Sequence, residues 1–161
     1  MVSGGPFDAA GLGRAVEAER RARGLTWAGL VAELGVSATT IRGLGKRSAV
    51  EADGALALCR WLGRAPESFA DGDGPALPTA GPGRFLRTDV RALHAALQEA
   101  CEARGVGWAG LAALVSRAGM PTAAPMLTRY ARGGRADIDR LVILAGWLGR
   151  PVADFVHWTW R

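Results

Sequence analysis

The chain of 161 residues contains only two cysteines and two histidines, the residue types that most often build disulfides, metal sites and catalytic relays. Cys59 and Cys101 lie in alanine-rich apolar stretches without a paired spacing, which predicts packed, reduced thiols rather than a disulfide framework. His94 and His157 each stand alone, with no Cys, Ser or carboxylate at a spacing typical of a metal site or a relay. The sequence therefore predicts a protein that is not an enzyme, with no catalytic residue, no metal site and no cofactor.

Two short segments carry an incomplete ligand-binding motif. The segment GLGKRS at 43–48 is similar to a phosphate-binding loop, but Thr40 replaces the first glycine and Arg47 replaces the Ser or Thr after the lysine. The segment DGDG at 71–74 is similar to the start of a calcium loop, but Pro82 stands where the closing glutamate would be. Neither segment predicts a ligand site.

Long apolar runs are also absent. No run approaches the roughly 18 residues that a membrane span requires. The first residues lack the basic segment and the following apolar segment of a secretory signal. We therefore expect a cytoplasmic protein with no membrane partner.

Lysine is nearly absent, since Lys46 stands beside nineteen arginines and fifteen acidic residues, for a net charge of +5. A positive excess suits a polyanionic partner such as double-stranded DNA. A GC-rich genome, which favours arginine, explains the same bias equally well. Charge alone leaves both interpretations open.

What the sequence does contain is an internal repeat. At an offset of 81 residues, WAGL at 27–30 matches WAGL at 108–111. At an offset of 86, LCRWLGRAPESF at 58–69 matches LAGWLGRPVADF at 144–155. We assign the first copy to residues 8–70 and the second to residues 88–161. A Gly- and Pro-rich linker at 71–87 joins them.

Each copy has the pattern of about five short helices. In the first copy, an amphipathic stretch from Leu12 stops at Gly24, and Thr26 and Ser37 are suited to cap the next two helices. The predicted later elements are Trp27 to Leu34, Ala38 to about Leu44, Asp53 to Leu62, and a last turn from Pro66 to Phe69. Alternation is too poor and β-branched residues are too few for strands, so the predicted fold class is all-α.

The tryptophans of the chain divide into three groups. Those of the repeated endings are predicted to lie in the core with the phenylalanines that follow them: Trp61, Phe69, Trp147 and Phe155. Trp27 and Trp108 have three interpretations, namely packing within one copy, the seam between copies, or a DNA backbone. The segment HWTWR at 157–161 covers the seam or contacts a partner.

The segment TWAGLVAELGVSATTIRGL at 26–44 has the pattern of two short helices around a tight turn. The residues predicted to point inward and join the two helices are Ala32, Val36, Ile41 and Leu44. The residues predicted to face outward are Ala38, Thr39, Thr40, Arg42 and Gly43.

With its flanking helices, this segment resembles the lambda-repressor-like (Cro/C1, or XRE) family of helix-turn-helix domains. The resemblance covers residues 11–70 and, more loosely, 88–157. It depends on the turn LGVS at 34–37, on the apolar pair Ile41 and Leu44, and on the fourth-helix pattern DIDRLVILAGWLG at 137–149. It implies two repeated five-helix domains, each with a third helix that enters the major groove.

The resemblance also implies which residues contact DNA. In the first copy these are Ser37, Ala38, Thr39, Thr40, Arg42, Lys46 and Arg47. In the second copy they are Met126, Thr128, Arg129 and Arg132, followed by Arg135. Base contacts are expected from the first turn of each third helix, and phosphate contacts from the basic residues after it.

The sequence departs from the family at several positions. Trp27 and Trp108 stand where the family often has glutamine, and Gly43 weakens the third helix. The second turn, GMPTAAP at 119–125, is longer, so its third helix must begin near Pro125.

Two functions from different classes therefore remain. The leading hypothesis is a nucleoid-associated transcriptional regulator in which two linked helix-turn-helix units bind an asymmetric or imperfectly palindromic DNA site. The alternative is a helical protein-interaction module that forms a homodimer or binds a sigma factor or a toxin. A combined hypothesis has the second copy mediate dimerisation while the first contacts DNA.

Overall fold

A computed structural model describes residues 6–44, 46, 50–78 and 83–160 of the chain. In the first copy the helices are α1 (Ala9–Ala22), α2 (Trp27–Leu34), α3 (Ala38–Arg42) and α4 (Ala52–Leu62), followed by a 3-10 turn (Pro66–Phe69). In the second copy they are α5 (Val90–Arg104), α6 (Trp108–Arg117), α7 (Ala124–Thr128) and α8 (Ile138–Leu148), with 3-10 turns at Arg129–Arg132 and Val152–Phe155. Two strands, β1 (Arg84–Thr88) and β2 (Val156–Trp160), complete the described structure.

The helices of the first copy begin and end where local chemistry requires. The hydroxyl oxygens of Thr26 and Ser37 accept hydrogen bonds from the amides of Gly29 and Thr40, as the capping prediction expects. Gly63 ends α4 with φ of 68°, in the left-handed region that favours glycine. The predicted bounds of α2 and of the last turn agree with the structure, whereas α3 ends at Arg42, short of the expected Leu44.

The prediction of no strands was wrong, because β1 and β2 form an antiparallel pair from Arg84 opposite Trp160 to Thr88 opposite Val156. The fold is mostly helical with a small two-stranded sheet. The indole ring of Trp158 on β2 lies 5.7 Å from the guanidinium of Arg60 on α4. The segment at 157–160 therefore covers the seam between the copies, one of its two predicted roles.

One continuous hydrophobic core runs through both copies. It contains all four aromatic residues that the sequence predicted for it, namely Trp61, Phe69, Trp147 and Phe155. Ala32 was expected to point inward but is exposed; Leu30 and Leu34 are buried on α2 instead.

A short backbone pairing relates the two copies by an approximate two-fold axis. Glu51 lies opposite Asp137, its equivalent at the offset of 86. The amide of Ala52 donates to the carbonyl of Ala136, and the amide of Ile138 donates to the carbonyl of Val50, both at 2.8 Å. Each bond is the image of the other under exchange of the copies, so the axis passes through this pairing.

A second pair of equivalent hydrogen bonds crosses between the copies. The amide of Thr88 donates to Asp53 at 2.8 Å, and the amide of Phe7 donates to Asp139 at 3.2 Å. Phe7 and Thr88 are equivalent at the offset of 81, and Asp53 and Asp139 at the offset of 86. The copies are thus joined by hydrogen bonds as well as by apolar packing.

Candidate nucleic-acid interface

Helix α3 presents part of its predicted surface to solvent. Ser37 and Thr39 are exposed at its start, and Arg42 and Lys46 are exposed at and beyond its end. Ala38 is half-buried. Arg47 lies outside the described residues.

Thr40 was expected to face outward, but it is half-buried against α4. A Cβ atom added at Gly54 would lie only 3.0 Å from the Thr40 methyl carbon, and the Thr40 hydroxyl lies 2.8 Å from that of Ser37. Thr40 therefore contributes to the packing of α3 on α4 and to the cap of α3.

Helix α7 is the equivalent of α3 in the second copy, and Pro125 is its second residue, as the sequence predicted. Thr128, Arg129 and Arg132 are exposed. Met126, the equivalent of Thr40, is half-buried, and its sulfur lies 4.0 Å from a guanidinium nitrogen of Arg140 on α8. Thr40 and Met126, which pack against the fourth helix of their copies, thus occupy the same position in the two copies.

The approximate two-fold axis determines how α3 and α7 lie relative to each other. Helices α4 and α8 both begin at the pairing of Glu51 with Asp137. Helix α3 packs near the first turn of α4, and α7 packs near the first turn of α8. A two-fold rotation carries a residue to its equivalent at the same height along the axis. The two helices therefore lie at the same level, on either side of the axis.

Several cations near these helices have no carboxylate partner among the described residues: Arg42, Lys46, Arg129 and Arg132. On α1, by contrast, Arg21 pairs with Glu17 at 2.7 Å and Arg23 with Glu19 at 2.8 Å. The charges of these four residues are therefore uncompensated by carboxylates within the described ranges, whereas Arg21 and Arg23 each pair with a glutamate one turn away.

Arg135, expected with the DNA-contacting set, reaches toward the first copy instead. Its side chain is exposed, and its Nε lies 3.4 Å from Oε1 of Glu51. Burial is the main cause that raises the pKa of Glu51 above its ordinary value, and Arg135 acts in the opposite direction. This ion pair joins the loops that precede α4 and α8.

Trp27 and Trp108 pack within their own copies, the first of their three interpretations. The guanidinium of Arg20 lies 4.4 Å from the Trp27 ring, and the His94 ring stacks on Trp108 with centroids 5.0 Å apart. Both contacts join the second helix of a copy to its first.

Sequence reasoning missed Glu51 and Arg140. Arg140 is 8% exposed and pairs with Asp137 of its own helix cap. The available signal was the alignment of the copies, which sets Glu51 against Asp137 and Gly54 against Arg140.

Within the described ranges, none of the helices is long and apolar enough to cross a membrane. In the same residues, no three His, Cys, Asp or Glu side chains are grouped as a metal site. No protein-family model, curated protein or solved structure matches the chain.

Proposed function

We propose that the chain is a sequence-specific DNA-binding regulator that uses two covalently linked helix-turn-helix units. The observation that carries this proposal is the two-fold relation of α3 and α7. Lys46 after α3 and Arg132 after α7 are exposed and have no carboxylate partner among the described residues. Paired recognition elements about a two-fold axis match the local symmetry of duplex DNA. Unpaired cations neutralise phosphates without first breaking an ion pair.

The proposed roles differ along each helix. Exposed Thr39 and Arg42 on α3, and Thr128 and Arg129 on α7 and just after it, are assigned to base edges. Lys46 and Arg132, which follow the two helices, are assigned to phosphates, where a flexible cation binds without sequence preference.

The site on DNA is proposed to be asymmetric or imperfectly palindromic. The two copies expose different side chains at equivalent places, so each half-site is expected to have its own preferred bases. Because both units belong to one chain, binding of one raises the effective concentration of the other. A regulator of this kind acts in the cytoplasm, on the nucleoid.

A second candidate function is protein interaction, and one observation favours it. Trp160 at the end of β2 is a large aromatic side chain that is 69% exposed, with the Arg84 guanidinium 4.4 Å from its ring. The combined form, in which the second copy mediates a dimer and the first binds DNA, is also compatible with this exposure.

Selection of bound fragments from a random DNA pool tests the leading proposal. The expected result is an enriched motif with two unlike halves, bound by the monomeric chain. Fluorescence anisotropy on that motif between about 50 and 200 mM salt should then show affinity falling steeply with log salt. No enrichment, or an affinity insensitive to salt, would contradict DNA binding. A dimer seen by analytical ultracentrifugation without DNA binding would favour the second candidate.

A further inference from the structure

Gly54 on α4 and Arg140 on α8 occupy equivalent positions in the two copies, at the offset of 86. Arg140 is buried, and its guanidinium is surrounded by acceptors. Nη2 donates to the carbonyl of Pro121 at 2.6 Å, and Nε donates to the hydroxyl of Thr122 at 3.0 Å. Its Nη1 pairs with the carboxylate of Asp137. In the second copy, this guanidinium joins α8 to the turn before α7.

The first copy has a cavity of about 370 Å³ at the corresponding place, where glycine contributes no side chain. Besides Gly54, the residues that line it include the equivalents of four residues around Arg140, namely Gly35, Val36, Thr40 and Glu51. The cavity thus adjoins the position that is equivalent to Arg140, although the Thr40 methyl carbon lies within 3.0 Å of where a Cβ atom of residue 54 would be. Its volume lies in the usual range for small-molecule sites, about 300–1,000 Å³.

The lining of the cavity supplies hydrogen-bond acceptors for a cation. The carboxylate of Glu51 corresponds to that of Asp137, which pairs with Arg140. Val36 lacks the hydroxyl of Thr122, but Ser37 and Thr40 bring two hydroxyls to the lining. Asp53 adds a second carboxylate, which already accepts from the Thr88 amide and pairs with Arg87. A planar guanidinium with five N–H donors matches such a set of acceptors.

The ion pair between Glu51 and Arg135 is long and exposed to solvent. Arg135 approaches from the second copy with N–O distances of 3.4 and 3.5 Å, and its side chain is 77% exposed. An exposed ion pair of this length contributes little stability. A ligand cation inside the cavity can therefore displace Arg135 from Glu51.

Two cations, Arg60 and Arg87, also line the cavity, and one of them, Arg87, lies close to the carboxylates of Asp53 and Glu51. The Nε of Arg60 is buried and donates no hydrogen bond to any described residue, whereas Arg87 pairs with Asp53 at 3.4 Å. A buried donor without an acceptor is unfavourable, so an anionic group placed beside Arg60 satisfies it.

We propose that this cavity binds a small molecule with a guanidinium group at one end and a carboxylate at the other. The guanidinium pairs with Glu51 and the hydroxyls of Ser37 and Thr40, beside the position that is equivalent to Arg140. The carboxylate lies beside Arg60. The proposal does not depend on DNA binding, because the site and its test involve the chain and the small molecule alone.

The test is isothermal titration of the full chain with 4-guanidinobutanoate, with butanoate as the matched compound that lacks the guanidinium. The expected result is one equivalent of 4-guanidinobutanoate bound, with butanoate at least tenfold weaker. Glu51→Gln should weaken binding tenfold or more, since it removes the charge that pairs with the guanidinium. Arg135→Ala should strengthen binding because it removes the competing cation.

A double variant fills the cavity from within. Gly54→Arg with Thr40→Ser places an arginine where the second copy has one, and the serine removes the methyl carbon that lies 3.0 Å from the new Cβ. Binding of 4-guanidinobutanoate should be lost in the double variant and kept in Thr40→Ser alone. Each of three results would overturn the proposal. The first is equal binding of butanoate and 4-guanidinobutanoate, and the second is undiminished binding of 4-guanidinobutanoate to the Glu51→Gln variant. The third is no binding to the wild type at about 10 mM 4-guanidinobutanoate, on the order of the weakest useful ligand affinities.

Discussion

The backbone amide of Thr88 donates a hydrogen bond to Oδ1 of Asp53 at 2.8 Å, across the boundary between the two copies. Phe7 and Asp139 repeat this relationship in the other direction at 3.2 Å. In both cases the residue that precedes the N-cap of the first helix in one copy is bound by the first turn of the fourth helix in the other. The duplicated unit is therefore completed by its neighbour rather than by itself.

Removal of the Asp53 carboxylate should destabilise the chain. We expect Asp53→Ala to lower the free energy of unfolding by about 1–3 kcal/mol, because the amide of buried Thr88 loses its acceptor. Urea unfolding monitored by circular dichroism measures the change. Asp154→Ala is the matched control, since Asp154 is exposed and pairs only with exposed Arg150, and its expected effect is below about 0.5 kcal/mol. Equal effects of the two substitutions would contradict a stabilising role for the bond between copies.

The two copies should unfold together. Their buried side chains form one continuous core, and hydrogen bonds cross the boundary in both directions. Thermal unfolding followed by tryptophan fluorescence and by far-ultraviolet circular dichroism should give coincident single transitions. Two separated transitions would mean that each copy is stable without the other.

The free energy of unfolding should vary with pH because the carboxyl group of Asp139 is partly buried. Burial raises the pKa of Asp139 above its ordinary value, while the amide of Phe7 acts in the opposite direction. The folded chain therefore binds this proton more tightly than the unfolded chain, and the associated stability is lost as pH rises through the folded pKa. Asp139→Asn keeps an acceptor for Phe7 and has no charge to bury.

Urea unfolding of Asp139→Asn and wild type between about pH 3 and pH 7 measures this effect. The free energy of unfolding of the variant should rise relative to wild type as pH increases through the pKa, and then stay constant. Asp73→Asn, at an exposed position in the linker, is the control and should show no such trend. A change in favour of the wild type would mean that the charged carboxylate stabilises the fold.

The cations after α3 should dominate the contribution of the first copy to DNA affinity. Arg42→Ala with Lys46→Ala is expected to weaken binding to the selected motif by roughly tenfold or more and to reduce the slope of log affinity against log salt. Arg64→Ala with Arg150→Ala removes the same charge from the opposite ends of α4 and α8. Those ends lie about 16 Å along each helix from the pairing at the two-fold axis. The control should retain most of the affinity; an equal loss in both variants would indicate a nonspecific effect of net charge.

Local chemistry explains why much of the first copy was predictable. Thr26 and Ser37 cap the helices for which they were predicted, and Gly63 ends α4 in a left-handed conformation. Each of these features depends on residues within one helical turn. The matched endings likewise predicted that Trp61 and Trp147 belong to the core.

The errors arose where distant segments meet. β1 and β2 pair residues from the end of the linker with residues 156–160. The segment VHWTW at 156–160 alternates apolar and polar residues as a strand does. Its partner RFLRT at 84–88 has no such alternation, and the sequence does not show that the two segments meet. Thr40 and Met126 were assigned to the outward face because helical periodicity alone does not show where α4 and α8 pack. The candidate DNA-contacting residues on either side of them remain predictions.

The sequence by itself determined the duplication, the order of the helices and most of their ends, since repeats, caps and glycines act over a few residues. Only the tertiary structure decided that the two copies share one core and that Asp53 and Asp139 bind the opposite copy. It also decided that a cavity adjoins Gly54 in the first copy, whereas the equivalent Arg140 is buried in the second. These features depend on contacts between segments that are distant in sequence, and local sequence patterns do not encode such contacts.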